Sequence, residues 1–230
     1  MATVSYESGR ELGWYAHLVR NTTTLGSLAT LVHLPFMASF LSVVLIGAFS
    51  SPAIDPLALG LSLLVVAVLL YGEHMLDDMT RVGKPWATIF SDRTLVELAV
   101  LLFAIAALIG GLASVMYSSP IPLIGVLIGI AFCILYGMEV WRFHEMIFGA
   151  LGFGAIPAFS YLAQNTIAGK AAANLLIVVL LLVLGFVLGY VMLFLYERTK
   201  TAQHRVMWKL LAGHFLAIYA LAGVMVWLGA

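Results

Sequence analysis

Long apolar stretches alternate with short polar ones along the whole chain. A helix needs about 20 apolar residues to cross a hydrocarbon core of about 30 Å. The uncharged region from Leu98 to Met138 is too long for one crossing, and the turn-forming segment Tyr117–Pro122 divides it. The pattern predicts seven spanning helices, at residues 25–49, 57–74, 96–116, 121–138, 146–164, 173–196 and 209–229.

Composition supports an all-α, polytopic transmembrane helical bundle formed by residues 1–230 as one domain. The chain is 63% hydrophobic and 10% charged, whereas soluble domains average roughly a quarter charged residues. The polar segment 1–20 is loosely amphipathic and is expected to lie at the membrane interface. Cys133, the single cysteine, excludes an internal disulfide. The formal net charge of zero gives no indication of a nucleic-acid partner.

The basic residues indicate the orientation of the bundle. Ten of the eleven Lys and Arg residues fall in the N-terminal segment or in the connections after helices two, four and six, and Lys170 is the exception. Because positive residues are retained in the cytoplasm, we expect a cytoplasmic N-terminus and an external C-terminus. Ten of the eleven acidic residues lie on the same face, Asp55 being the exception. Any chemistry is therefore expected at the cytoplasmic face.

Local signals refine the connections. Pro52 and Pro56 predict a turn before the second helix, and a polar loop is expected from Asp77 to Arg93. Ser91 or Asp92 is a candidate N-cap for the third helix. A further turn is predicted at residues 164–174. Glycine pairs at four-residue spacing, Gly125 with Gly129 and Gly185 with Gly189, are weak indications of close helix packing.

An acidic cluster closes the second apolar stretch, within Gly72–Trp86. Positions four apart share a helix face, so Glu73, Asp77 and Arg81 stack along one side, with His74 and Asp78 on an adjacent strip. Charges at such a depth are costly and usually indicate a site. Their oxygens suit a hard cation such as Mg²⁺. The alternative is a set of solvated ion pairs at a helix end.

Two further polar connections face the same side. The first offers Glu139, Arg142, His144 and Glu145, either as ligands or as a short topogenic loop. The second contains Tyr196, Glu197, Arg198, Lys200, His204 and Arg205. Its basic groups could hold a diphosphate, or they could be the topogenic charge alone. His33 and His214 lie within apolar stretches and are interpreted as core histidines rather than haem ligands.

Several segments resemble the UbiA-type intramembrane prenyltransferases. Arg20 in VRNTTTLGSL is similar to the family's arginine near the first helix. EHMLDDMTRVGKPW resembles its first aspartate-rich motif, with Lys84 and Pro85 as the basic–proline step. LYGMEVWRFHE and the Gly-rich helix after it are similar to the family's fourth loop and fifth helix, which would bring Arg142 near a diphosphate.

The resemblance implies an isoprenoid diphosphate donor, a lipophilic acceptor and Mg²⁺, at the cytoplasmic face of a multi-pass membrane protein. Roles follow position by position from the matching motifs. Arg81, Lys84 and Arg142 would be catalytic, and Arg20, Asn21, Arg198 and Lys200 would bind diphosphate. Glu73, Asp77, Asp78 and Glu197 would hold the metal.

Departures from the family pattern leave other functions open. The first motif lacks its asparagine, the second retains only Glu197, and seven predicted helices replace the usual nine. A non-catalytic lipid- or quinone-binding subunit, or a partner of another membrane protein, is the second hypothesis. A small transporter is the third, although the chain has no inverted repeat and few polar groups within its spans.

Overall fold

A computed structural model describes residues 23–80, 88–142, 144–169, 171–199 and 204–229. Every regular element in these ranges is helical, as predicted. The elements are α1 (Thr24–Val32), α2 (Leu34–Ala48), α3 (Pro56–Thr80), α4 (Asp92–Met116), α5 (Ile121–Gly137), α6 (Met146–Leu162) with its π-helical extension (Ala163–Ala168), α7 (Leu175–Thr199) and α8 (His204–Gly229).

The helices have the length and composition of a multi-pass integral membrane protein. Within the described residues, five helices are long and apolar enough to cross a bilayer. The bent pair α1 and α2 makes a sixth if it is one span. The apolar helix α5 is shorter, at 17 residues. The predicted interfacial segment 1–20 lies outside the described residues.

The predicted first helix, 25–49, is wrong in one respect, because it is broken at His33. This residue has left-handed backbone angles, φ 45° and ψ 60°, and α1 and α2 meet there at a bend of 43°. Pro35 explains the break, since proline has no N–H to continue the hydrogen-bond ladder. Ring contacts hold His33 in place: its ring stacks on Phe36 with centroids 4.3 Å apart.

The predicted end of the second helix, at residue 74, is also wrong, because α3 continues through the acidic cluster to Thr80. Residues 77–80 are therefore helical rather than part of the predicted loop, and residues 81–87 are outside the described ranges. Packing on α5 stabilises the extra turns. The hydroxyl of Thr80 donates to the Gly137 carbonyl (3.0 Å), and a Cβ on Gly137 would lie 3.0 Å from the Glu73 carbonyl oxygen.

Other boundaries follow the local signals more closely. Ser91 is the N-cap of α4, and its side chain accepts from the Thr94 N–H. The turn expected at 164–174 begins later, because the π-helical turn continues α6 to Ala168. Helix α7 extends through Thr199, so Glu197 and Arg198 are helical rather than in the predicted connection. Helix α8 begins at His204, before the predicted 209.

Two groups of buried side chains divide the bundle into halves. One half contains α2, α6, α7 and α8, around Phe153, Met192 and Phe215. The other contains α1, α3, α4 and α5, around Leu69, Met75 and Phe103. Because both halves contribute residues to a single large cavity, the cavity lies where the two cores fail to merge.

Candidate functional site

A cavity of about 750 Å³ lies between the two halves of the bundle. Helices α2 to α7 all contribute to its wall. Its volume is within the roughly 300–1,000 Å³ of small-molecule pockets. Most of its length is lined by aliphatic and aromatic side chains, among them Phe40, Val65, Val126, Phe132 and Ile156. Such a wall suits an apolar ligand.

Part of the cavity wall consists of accessible apolar side chains. Ile128 of α5, and Leu151 and Phe159 of α6, line the cavity and are each about half exposed. These two helices belong to different halves of the core. Accessible apolar side chains from both halves of the core therefore form this part of the cavity wall.

The cavity wall also contains three acidic side chains. Glu73 and Asp77, from the last turns of α3, and Glu197, from the last turn of α7, line the same space. Glu73 is 8% exposed and Asp77 5%. Both carboxylates are therefore shielded from bulk solvent, which argues against the solvated part of the alternative interpretation, ion pairs at a helix end. Burying charge without compensation is costly, so this part of the wall must offer partners or hold a ligand.

Asp78, the neighbour of Asp77, has a different environment. It is fully buried and accepts a hydrogen bond from the hydroxyl of Thr88, with 2.5 Å between the oxygens. Successive helical residues point about 100° apart, so the two carboxylates diverge. Asp78 therefore lies against the segment that precedes α4, while Asp77 faces the cavity.

Two histidines join the acidic side of the wall. The rings of His33 and His74 have centroids 5.7 Å apart, and His74 Nε2 lies 3.6 Å from a carboxylate oxygen of Glu73. Both rings line the cavity. The other histidine within an apolar stretch, His214, has its Nε2 2.8 Å from the Leu188 carbonyl oxygen, which agrees with its interpretation as a core histidine.

A second set of ligand-type side chains surrounds Asp77. One donor atom each from Asp77, Glu139 and His144 lie within 4.8 Å of one another. Asp77 comes from α3, whereas Glu139 and His144 come from the connection between α5 and α6. His144 lines the cavity with Asp77. This group offers one imidazole nitrogen and two carboxylates as metal ligands.

The basic residues are located less fully. Arg142 is exposed and donates two hydrogen bonds to Glu145, at 2.6 and 3.0 Å, and these bonds hold the pKa of Glu145 below its ordinary value. The Arg198 guanidinium lies 5.2 Å from the centroid of the Phe194 ring. The other basic or polar candidates are outside the described residues: Arg20, Asn21, Arg81, Lys84 and Lys200.

Sequence reasoning did not bring several of these residues together. Tyr136 and Cys133 line the same cavity as the acidic cluster, yet both lie in apolar stretches that carry no signal of a site. Tyr196, which belongs to one of the polar connections in the sequence, also lines it. Glu139 and His144 were candidates, but their closeness to Asp77 depends on a contact between segments about sixty positions apart. No local spacing signal could have indicated it.

No protein-family model, curated protein or solved structure matches this chain. The site must therefore be interpreted from its own geometry and chemistry.

Proposed function

We propose that this protein is a divergent UbiA-type membrane prenyltransferase, which transfers an isoprenoid group from a diphosphate donor to a lipophilic acceptor. One observation carries the proposal: a single cavity of about 750 Å³ has an apolar body and a wall bearing Glu73, Asp77 and Glu197. An isoprenoid diphosphate has the same two-part chemistry, a long apolar chain and a compact anion that needs a cation.

The apolar part of the cavity would hold the isoprenoid chain and keep water away from the reacting carbon. An opening between α5 and α6, whose accessible apolar side chains line the cavity, would admit a substrate directly from the bilayer. In the reaction, the bond from the prenyl carbon to the diphosphate oxygen breaks and its electron pair leaves with the diphosphate. The allylic cation then alkylates the acceptor, which loses a proton.

The acidic wall would hold Mg²⁺, which prefers oxygen ligands and retains positions for phosphate oxygens. The metal would neutralise charge on the leaving diphosphate. Glu73, Asp77 and Glu197 are the candidates for this role because all three line the cavity. Asp78 fits it less well, since its carboxylate bonds to Thr88. Arg142 and Arg198 would add positive charge, together with Arg20, Arg81, Lys84 and Lys200, and the neutral amide of Asn21 would donate hydrogen bonds to the diphosphate.

The proposal includes the membrane topology. We infer seven spans, with α1 and α2 as one broken crossing and the 17-residue α5 as a short one. The distribution of Lys and Arg supports a cytoplasmic N-terminus and an external C-terminus. The ends of α3 and α7, and so the acidic wall, would then face the cytoplasm, where isoprenoid diphosphates are water-accessible.

Binding of a prenyl diphosphate to the purified protein in detergent tests the proposal. Farnesyl diphosphate should bind with Mg²⁺ and not after chelation. Glu73→Gln and Asp77→Asn should weaken binding about 10- to 100-fold, as expected for loss of one charged ligand contact. Glu97→Gln is the matched control, because Glu97 is exposed on α4 and pairs with Arg93. Binding that ignores Mg²⁺ and both cavity substitutions would refute this role.

The alternative is a non-catalytic lipid- or quinone-binding subunit with a partner membrane protein. It is favoured by the single carboxylate, Glu197, where the resembling family has an aspartate-rich second motif. Turnover separates the two hypotheses: the enzyme releases diphosphate from the donor when a lipophilic acceptor is present, whereas the subunit binds a quinone and releases none. Gradient-driven uptake into liposomes would instead indicate a small transporter.

A further inference from the structure

The connection between α5 and α6 brings two ligand-type side chains to Asp77. The Tyr136 carbonyl oxygen accepts both the backbone N–H of Glu139 (3.1 Å) and the Nδ1–H of His144 (2.9 Å). One atom at the end of α5 therefore positions both residues. The His144 ring also lies against the Tyr136 ring, with centroids 4.5 Å apart.

The bond to Tyr136 determines which nitrogen of His144 can act as a ligand. A carbonyl oxygen only accepts, so Nδ1 carries the proton. In the neutral ring Nε2 then has the lone pair. A backbone carbonyl on the second ring nitrogen is the usual support for a metal-binding histidine, because it fixes the tautomer and orients the ring. Nε2 lies 4.0 Å from an oxygen of Glu139.

The connection is also held firmly against α3, which carries Asp77. Thr80 bonds to the Gly137 carbonyl (3.0 Å), and the absence of a side chain at Gly137 permits direct contact with the backbone of α3 at Glu73. The three donor atoms, all within 4.8 Å of one another, would converge on a metal after movements of about 1 Å, because ligands at 2.0–2.2 Å from a common ion lie roughly 3–4 Å apart.

We propose that Asp77, Glu139 and His144 form a binding site for a first-row divalent transition metal. The donor set decides the class of ion. Mg²⁺ takes oxygen ligands, whereas an imidazole nitrogen suits zinc, copper, iron and nickel. The two carboxylates allow the site to bind manganese as well. Three protein ligands leave coordination positions open, as in catalytic rather than structural sites. Because Asp77 and His144 line the cavity, those positions face it.

This site shares Asp77 with the proposed diphosphate site, but the inference does not depend on prenyl transfer. It predicts that the full chain, stripped of metal in detergent, binds one Mn²⁺ without any diphosphate. Electron spin-echo spectroscopy of the bound Mn²⁺ should then show coupling to an imidazole ¹⁴N. An oxygen-only Mg²⁺-type site would bind Mn²⁺ without this coupling, so the two proposals fail separately.

Variants assign the ligands. His144→Gln should abolish the ¹⁴N coupling, and Glu139→Gln should weaken Mn²⁺ binding at least about tenfold. Glu97→Gln and His214→Gln are the matched controls: the first is exposed on α4 and pairs with Arg93, and the second bonds to α7. Both should bind as the unmodified chain does. Glu139 is partly exposed, so its substitution tests the site even if His144→Gln does not fold.

Three results would overturn the proposal. The first is no Mn²⁺ binding, which would leave the three side chains as a polar contact between α3 and the connection from α5 to α6. The second is nitrogen coupling that persists in His144→Gln. The third is unchanged affinity in a folded Glu139→Gln protein.

Discussion

Nδ1 of His74 lies 2.8 Å from the carbonyl oxygen of Leu31. In a continuous helix, that oxygen would accept the N–H of residue 35, but residue 35 is proline and has none. His74 therefore occupies the acceptor that the break between α1 and α2 releases. Because the oxygen only accepts, Nδ1 carries the proton and Nε2 is directed towards Glu73. His74 thus connects the break between α1 and α2 to the carboxylate of Glu73.

Replacing His74 with Phe keeps a ring of similar size and removes this donor. The Leu31 carbonyl would then be buried without its partner. We expect a loss of about 1–2 kcal/mol of unfolding free energy, near the upper end for hydrogen bonds within membrane bundles. Denaturation in mixed detergent, followed by far-UV circular dichroism, measures it.

Tyr71→Phe is the matched control for this prediction. The Tyr71 hydroxyl donates to the Leu28 carbonyl (2.9 Å), one turn earlier on both helices. In α1 the Leu28 oxygen also faces the N–H of Val32, so it keeps a helical partner in the variant. Tyr71→Phe should therefore cost less than His74→Phe. Equal losses would contradict the special role assigned to the Leu31 carbonyl.

Much of the fold could be predicted because bilayer helices follow local chemistry. Apolar length indicated where the helices lie, and residue type and position reduced the N-cap of α4 to Ser91 or Asp92, of which Ser91 is the cap. The end of α3 was not predicted correctly, because polar residues at a helix end resemble a loop. Glu73, Asp77 and Asp78 are helical and buried owing to contacts with α5, about sixty positions away in sequence, and with Thr88 in the segment before α4.

The candidate site was predicted only in part for the same reason. Glu73, Asp77 and Glu197 share a cavity, in line with the idea that separate polar segments converge. Sequence could not separate Asp77 from Asp78, since their difference arises from which neighbour each contacts. Nor could it join Asp77 to Glu139 and His144, whose positions depend on the left-handed backbone at Glu139, φ 51°, and on the Tyr136 carbonyl.

Gly185 of the second glycine pair should not tolerate alanine. A Cβ there would lie 2.8 Å from the Cα of Gly154 and 2.9 Å from Cγ of Pro157, so α6 and α7 would have to separate. Overpacking of this kind costs about 1–3 kcal/mol. Gly60→Ala is the control: nothing lies within 4 Å of its added methyl, and alanine should stabilise α3 by about 0.5–1 kcal/mol. Thermal unfolding in detergent should move in opposite directions for the two variants.

Tyr117 should make the turn between α4 and α5 sensitive to alkaline pH. Its hydroxyl donates to a carboxylate oxygen of Asp55 (3.2 Å), and burial, followed by the charge of Asp55 and this bond, raises the pKa of Tyr117 above its ordinary value of 10.0. A raised pKa means that the folded state favours the protonated phenol. Its stabilising effect is complete below pH 10 and is lost as pH rises towards the folded-state pKa.

Tyr117→Phe isolates this effect from the other groups that ionise at high pH. The difference in unfolding temperature between the unmodified chain and Tyr117→Phe should be constant from pH 7 to 9 and should shrink above pH 10. A difference that grows above pH 10 has the opposite sign and would exclude a raised pKa in the folded state.

Asp77 and Asp78 should have separable roles, in ligand binding and in stability respectively, although they are adjacent and chemically identical. The Asp78 carboxylate is fully buried and accepts from Thr88 at 2.5 Å. Thr88→Val removes the donor while keeping the side-chain shape, and a hydrogen bond to a charged group is worth about 1.5–3 kcal/mol. We therefore expect Thr88→Val to destabilise the fold by about this amount and Thr88→Ser, which keeps the hydroxyl, by less. Neither should alter Mn²⁺ or farnesyl diphosphate affinity in the folded fraction.

Asp77→Asn should weaken both affinities and lower stability less than Thr88→Val, because Asp77 faces the cavity. Ligand affinity lost in Thr88→Val at unchanged stability would mean that Asp78, not Asp77 alone, serves the ligand.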